Sequence, residues 1–218
     1  MIILSDDQRK KFIHQHTVVA LPTLVPEIKL HLATEVTPLW QANATLLQVD
    51  NIDPPYWAFA WPGGQAMARY ILDYPETVRG KSVFDFGAGS GLGAIAAALA
   101  GAAIITANDL DPLAATAMAM NAALNNAAIL IDQQNRLNQI IDTEIILVGD
   151  MCYERSAAEM ILQWLRRLAR NHYVLLADPG RKYVPTDGLQ ELKRYDVPTS
   201  LELEDRSMRP TTVWQLLA

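Results

Sequence analysis

Residue type and spacing point to chemistry at four places in this chain. They are Asp85-x-Gly87-x-Gly89-x-Gly91, Asp109, the run Gly149-Asp150-Met151-Cys152-Tyr153, and Asp178-Pro179-Gly180-Arg181. The first follows the apolar stretch Val83-Phe84 and leads into Leu92-Gly93-Ala94-Ile95. Alternating glycines between a strand and a helix suit a tight turn that a ligand approaches closely. Gly89-Ser90-Gly91-Leu92-Gly93-Ala94 also satisfies the relaxed dinucleotide pattern. Asp109, at the end of the next strand, stands where an acid binds ribose hydroxyls, which fits NAD and S-adenosylmethionine equally. Asp85 separates the two. A carboxylate beside the first glycine repels a pyrophosphate but welcomes the ammonium and sulfonium of S-adenosylmethionine. Asp150 follows the apolar stretch Ile145 to Val148, so it projects at the sheet rim beside the cofactor. The plainer alternative makes Asp150 the cap of a helix starting near Glu154.

The elements that must position these residues are read from periodicity and breakers. Ser5 and Gln8 form a capping box for a short polar helix. Ile28, Leu30 and Leu32 alternate with Lys29 and His31, as in a half-buried strand. Asp53 to Gly64 is rich in proline, glycine and aromatics and is not expected to form a plain helix. Of its aromatics, Tyr56, Trp57 and Phe59 are read as core, and Trp61 as lining something. Helices are expected over Gln65–Tyr74, stopped by Pro75, over Gly91–Ala100, and from Pro112 to about Asn125. A further helix is expected over Glu154–Arg170. Strands are expected over Ser82–Phe86, Ile104–Asn108, Ile129–Ile131, Ile145–Val148 and Tyr173–Ala177, with an antiparallel pair Ser200–Leu203 and Thr211–Leu217. Strands alternating with helices predict an α/β fold with a doubly wound, mostly parallel sheet and helices on both faces. Residues 1–50 are read as a small N-terminal extension and 51–218 as the cofactor-binding domain. Trp40 and Trp214 are read as packing residues, and Lys10-Lys11 and Arg166-Arg167 as solvated charge.

Bulk properties narrow the class. The 218 residues are 50% hydrophobic and 19% charged, enough for a large core. A net charge of -6 disfavours nucleic acid as the main partner. Cys152 is the single cysteine, so there is no internal disulfide or cysteine metal cluster, and a reducing compartment is expected. His14 and His16 do not make a metal site, and none is expected elsewhere. The start of the chain lacks a secretory pattern and carries acids early, unlike a mitochondrial presequence. The apolar run Leu92 to Ala107 is too short for an ordinary membrane span. The expectation is a soluble cytoplasmic protein.

The loop Asp85-x-Gly87-x-Gly89-x-Gly91 resembles the first motif of class I, seven-strand methyltransferases. Asp150-Met151-Cys152-Tyr153 resembles the D-x-x-Y motif of a branch rich in protein lysine methyltransferases. That resemblance implies a Rossmann-like seven-strand sheet with an antiparallel C-terminal strand, and S-adenosylmethionine as methyl donor. It also implies lysine chemistry. A free lysine with a pKa near ~10.4 costs roughly 4.6 kcal/mol to hold neutral at pH 7. A carboxylate can bind the incoming ammonium and orient the amine, a positioning role more than a strict general-base role.

Further segments sharpen the match: Val25-Pro26-Glu27-Ile28, Pro54-Pro55-Tyr56-Trp57-Ala58, Trp61-Pro62-Gly63-Gly64-Gln65-Ala66, Arg79-Gly80-Lys81-Ser82-Val83, Ala107-Asn108-Asp109-Leu110-Asp111-Pro112 and Asp178-Pro179-Gly180-Arg181. Over roughly residues 25–214 the chain is similar to the electron transfer flavoprotein β-subunit lysine methyltransferases. The resemblance implies that Asp85, Gly87, Gly89 and Gly91 surround the methionine moiety, Asp109 holds the ribose and Leu110 packs near the adenine. Trp61 is implied at the cofactor's reactive end and Gln65 in the same cleft. Asp150 and Tyr153 are implied to meet the lysine, and Arg181 to contact the protein substrate. The implied partner is the flavoprotein β subunit, through a loop that docks onto acyl-CoA dehydrogenases. Cys152 departs from the pattern, because an aromatic is common there. The leader lacks a mitochondrial presequence, so a bacterial-type member is expected. Alternatives are a methyltransferase for a ribosomal protein, chaperone or other protein, a nucleotide-binding oxidoreductase, and a binding module without turnover. The presence of Asp85, Asp109 and Asp150 argues against the last.

Overall fold

A computed structural model describes residues 4–34, 38, 41–42, 55–201 and 204–218. Trp40, Asp53-Pro54 and the boundary at residues 50–51 lie outside the described residues.

Seven strands form one sheet: β3 (Ser82–Phe86), β4 (Ile104–Asn108), β5 (Leu130–Asp132), β6 (Ile145–Gly149), β7 (Tyr173–Asp178), β8 (Leu189–Pro198) and β9 (Met208–Leu216). Their order is β5-β4-β3-β6-β7-β9-β8. The strands from β5 to β7 in this order run parallel, and β9 pairs antiparallel with both β7 and the edge strand β8. The chain moves outward from β3 through β4 to β5, then returns to lay β6 on the other side of β3. This reversal opens a crevice at the carboxyl ends of β3 and β6, where doubly wound sheets receive ligands.

The central strands are apolar on both faces because helices cover both. Ile145 and Leu147 of β6 join one core with Leu175 of β7, Met67 and Ile71 of α2 (Pro62–Asp73), and Ala94 and Ala97 of α3 (Leu92–Leu99). The alternate residues Ile146 and Val148 join the other core with Phe84, Val174 and Leu176, under Trp164 and Leu165 of α5 (Arg155–Leu168). The alanines of α3 let its backbone lie close to the sheet.

The leader is packed on this framework. α1 (Asp6–His16) starts at the Ser5–Gln8 capping box. Its Phe12 and Ile13 pack with Trp57 against Leu113, Ala114 and Ala117 of α4 (Pro112–Leu124). β1 (Val18–Ala20) and β2 (Leu30–Leu32) pair as a small antiparallel ribbon. The His31 amide donates to Asn121 Oδ1 at 2.7 Å, and Asn121 Nδ2 donates to the Ser90 carbonyl at 2.9 Å. One buried carboxamide therefore ties the leader to the glycine loop. His31 is itself buried, where alternation placed it outward.

Two expectations need correction. The tail pair is Leu189–Pro198 with Met208–Leu216, not Ser200–Leu203 with Thr211–Leu217; Ser200 and Leu201 lie outside any strand, and residues 202–203 fall outside the described residues. β8 is an edge strand bearing Glu191, Lys193 and Arg194, with a register shift between Glu191 and Lys193. Edge charge and an irregular register hide the period-2 signal. The second helix also begins earlier than Gln65, with Pro62 at its first position and Gly63-Gly64 in its first turn. Proline's fixed φ and absent N–H suit that position.

Candidate active site

The glycine loop links β3 to α3. Gly87 has φ +65, and a Cβ there would lie 2.7 Å from Met151 Sδ. The left-handed φ favours glycine, and the β3 and β6 rims meet at the Gly87–Met151 approach. Asp85 lies buried beneath the loop, where its Oδ2 accepts from the Ala94 amide at 2.8 Å. It thus stabilises the N-terminal turn of α3 from below. Burial lifts its carboxyl group to about 7, opposed by the Ala94 bond, and nearby Asp109 adds to the rise.

Asp109, just past β4, accepts from the Gly89 amide at 2.9 Å through Oδ2 and from the Asp111 amide at 3.0 Å through Oδ1. It closes the glycine loop onto the neighbouring strand end. Burial raises its pKa, and the amides of Asp111, Gly89 and Leu110 oppose the rise. Leu110 beside it is 59% exposed, an apolar surface next to an acid.

Asp150 stands one residue past β6 with φ +54. It does not cap α5: that role falls to Glu154, which accepts from the Ser156 and Ala157 amides. Its Oδ2 instead accepts from the Gly64 amide at 2.9 Å, in the first turn of α2. Its Oδ1 accepts from Arg181 Nη2 at 3.3 Å. Burial pushes this carboxyl up to about 7, Arg181 opposes the rise, and Asp178 adds to it. The Trp61-Pro62-Gly63-Gly64 segment owes its composition to this contact. A Cβ on Gly63 would lie 2.5 Å from the Ala177 carbonyl and 2.6 Å from Asp150 Oδ2.

Aromatic rings wall the same rim. Trp61 donates through Nε1 to the Tyr56 carbonyl at 2.8 Å. Its ring lies 5.8 Å from Tyr56 and 5.9 Å from Phe59, and Tyr56 lies 5.5 Å from Tyr153. The Arg181 guanidinium sits over Trp61 at 5.9 Å. Trp57 and Phe59 are buried as expected, whereas Tyr56 is partly exposed. A cavity of about 330 Å³ opens beside Trp61, lined by Leu21, Pro22, Phe59, Pro198 and Glu204 among others. Gln65 borders it, but its side chain is committed at both ends: Oε1 accepts from the Leu24 amide and Nε2 donates to the Ala60 carbonyl. Cys152 faces away, into the core with Phe84 and Trp164. Burial pushes its thiol up to about 12, so it stays protonated.

The candidate residues thus fall into two adjoining groups. Asp85, Gly87, Gly89, Gly91, Asp109 and Leu110 lie around the loop after β3. Trp61, Asp150, Tyr153 and Arg181 lie around the end of β6. Glu204 joins the second group and escaped the sequence reading: it is buried and accepts from Arg181 Nη2 at 2.7 Å. Its only signal was an acidic run, Glu202 to Asp205, that looks like solvated charge. Among the described residues no set of three or more His, Cys, Asp or Glu side chains is arranged to hold a metal ion.

The chain as a whole is similar to known proteins. Residues 67–184 match the family model for ribosomal protein L11 methyltransferase, PrmA. The Xenopus laevis electron transfer flavoprotein beta subunit lysine methyltransferase is 39% identical over 213 residues, covering 94% of this chain and 85% of the relative. The Homo sapiens protein of the same name is 39% identical over 220 residues, covering 96% and 82%. Among solved structures, magnesium protoporphyrin IX methyltransferase from Synechocystis PCC 6803, with bound S-adenosylhomocysteine, has a TM-score of 0.54 at 12% identity, covering 84% of this chain and 95% of that one. At that identity the likeness speaks for the fold alone. A seven-strand sheet, a glycine loop at its crossover and full-length similarity agree: the chain belongs to the electron transfer flavoprotein beta subunit lysine methyltransferase family, within the PrmA-like methyltransferases.

Proposed function

We propose that this protein transfers methyl groups from S-adenosylmethionine to lysine side chains of the electron transfer flavoprotein beta subunit. The observation that carries the reading is the Asp150 carboxylate, its side chain only 11% exposed, held by the Gly64 amide at the rim where Trp61, Tyr56 and Tyr153 cluster beside the glycine loop. The relatives' names support the substrate, since their similarity spans nearly the whole chain.

The residues present fit the donor. Gly87, Gly89 and Gly91 all have positive φ (+65, +52 and +80), a tight turn that presents bare backbone at the carboxyl end of β3. Asp109 has carboxylate lone pairs for the ribose, Leu110 an apolar face for the adenine, and Asp85 a negative charge beneath the methionine end. When bound, S-adenosylmethionine supplies a methyl group made electrophilic by its sulfonium. The chain's own residues do the rest. Asp150 draws in the lysine ammonium and fixes its direction, Tyr153 flanks it, and Trp61 lies along its path. Orientation of this kind converts a loose encounter into a near-attack geometry. Burial, which lifts the Asp150 carboxyl to about 7, makes it a better resting place for a departing proton than an exposed carboxylate. Arg181 lies where the protein substrate enters. No helix of the described residues is long and apolar enough to cross a membrane. The acidic composition and single cysteine support a cytoplasmic protein.

The test is incubation with labelled S-adenosylmethionine and purified flavoprotein, with ribosomal protein L11 alongside because of the PrmA match. Label on lysines of the flavoprotein beta subunit is expected. Label on L11 alone overturns the substrate, and calorimetric binding of NAD but not S-adenosylhomocysteine overturns the chemistry.

A further inference from the structure

Resting on the lysine-methyltransferase reading, we propose that Arg181 is a resident cation: its guanidinium keeps the place of the substrate ammonium between Asp150 and Trp61, and gives up Asp150 while staying on Glu204 when a lysine enters.

Three features lead to this. First, Arg181 makes the two contacts an incoming lysine needs, a bond to Asp150 Oδ1 and a seat over the Trp61 ring. A cation between a carboxylate and an aromatic face is stabilised by both. Second, the grip is uneven. Nη2 lies 2.7 Å from Glu204 Oε1 but 3.3 Å from Asp150 Oδ1, so the longer bond can break while the shorter one holds. Glu204 is itself anchored by Arg209, at 3.0 Å from Nε and 2.9 Å from Nη2 to Oε2. Glu204 is therefore a fixed post on which Arg181 can stay.

Third, the buried charges do not balance. Asp150, Asp178 and Glu204 are three carboxylates; Arg181 and Arg209 are two guanidiniums. Solvent-facing Asp205 is paired with Arg206 and leaves the difference unchanged. Asp178 Oδ2 and Arg181 Nε are buried with no hydrogen-bond partner among the described residues. With its carboxylates ionised, this cluster of described residues is one positive charge short and is suited to a further cation. The lysine ammonium supplies that charge without expelling Arg181 from the protein. Before it arrives, Arg181 spares Asp150 from standing buried and unpaired.

The experiment uses n-butylammonium as the cation probe, titrated calorimetrically into protein saturated with S-adenosylhomocysteine. It is run at about pH 9, well above the raised Asp150 value, so the carboxylate is charged wherever Asp150 is kept. Arg181→Gln removes the competitor and is expected to bind the probe at least about fivefold more tightly than the wild type. Adding Asp150→Asn should abolish the gain. Arg181→Lys, which keeps a competing charge, should stay within about twofold of the wild type. Equal or weaker binding in Arg181→Gln overturns the proposal. Should that variant fail to fold, the wild type decides by NMR. The Arg181 Nε–H resonance, assigned by its loss in Arg181→Lys, should shift on saturation with the probe, and an unmoved resonance overturns the proposal. Ammonium responses without methyl transfer to the flavoprotein would refute the substrate and leave the exchange standing. Transfer without ammonium responses would do the reverse.

Discussion

The Gly64 amide donates to Asp150 Oδ2 at 2.9 Å, joining two residues 86 positions apart in the chain. The donor lies in the first turn of α2 and the acceptor at the end of β6, so a helix N-terminus supports the carboxylate proposed to receive the lysine. The contact explains why Gly63 and Gly64 precede Gln65: the helix must come close enough for its backbone to bond Asp150.

Gly63→Ala therefore tests the approach. The added Cβ meets the Ala177 backbone carbonyl at 2.5 Å and Asp150 Oδ2, which the Gly64 amide holds, at 2.6 Å. The expected loss of stability is about 1–3 kcal/mol, read by urea denaturation. Methyl transfer should fall further than unfolding explains, because Asp150 is pushed aside.

Asp150→Ala separates binding from transfer. Cofactor affinity, measured calorimetrically with S-adenosylhomocysteine, should stay within about twofold, because Asp150 lies outside the glycine loop. Turnover should drop by about 10²-fold or more once the lysine loses its orienting charge. Wild-type turnover in this variant would leave Asp150 with a structural role only.

Asp109→Ala should do the opposite. The carboxylate braces the Gly89 amide at 2.9 Å, and the proposed ribose contact uses the same group. Cofactor affinity should weaken by about 10-fold to 100-fold, corresponding to about 1.5–3 kcal/mol for hydrogen bonds to a charged group. At saturating cofactor, turnover should largely recover.

Asp85 makes stability depend on pH in a definite direction. Its folded pKa, about 7, lies above the ordinary 3.8, so between these values the folded state holds the extra proton. Stability from this group is full below about pH 4 and is lost as the pH rises through 7. Asp85→Asn, which keeps an acceptor for the Ala94 amide, removes that loss. Relative to the wild type, the variant should gain on the order of 2 kcal/mol between pH 5 and pH 8, measured by denaturation at both. An unchanged difference would mean Asp85 is not buried as a carboxylate.

Asp150 should set the acidic limb of the activity profile. Its carboxyl, lifted to about 7 by burial, must ionise to bind an ammonium. The ratio of kcat to KM for the flavoprotein should rise through about pH 7, and Asp150→Asn should lose that limb.

Much of this site was legible along the chain because its parts are local. The β3 strand, its glycines and α3 occupy one continuous segment, and Asp109 follows at the next strand end. Apolar runs, glycine spacing and Pro112 mark these elements with little help from the rest of the fold. β8 is hard to read from residue order because its inward residues, Leu192, Tyr195 and Val197, fall out of strict alternation across a register shift, among exposed charges of an edge strand. Gln65 borders the cleft as its segment implies, and only its bonds to Leu24 and Ala60 show both ends of its side chain engaged.

Residue order alone established the α/β class, the glycine loop and the acids at the ends of β3, β4 and β6, because strand and turn chemistry act over a few residues. Tertiary structure decided what those acids touch. Asp85 bonds into α3, Asp109 closes the glycine loop, and Asp150 is held between Gly64 and Arg181. Glu204 reaches the site only because β9 returns antiparallel beside β7. Such pairings depend on strand order and crossover, which bring distant segments within hydrogen-bond reach and bury their charges together.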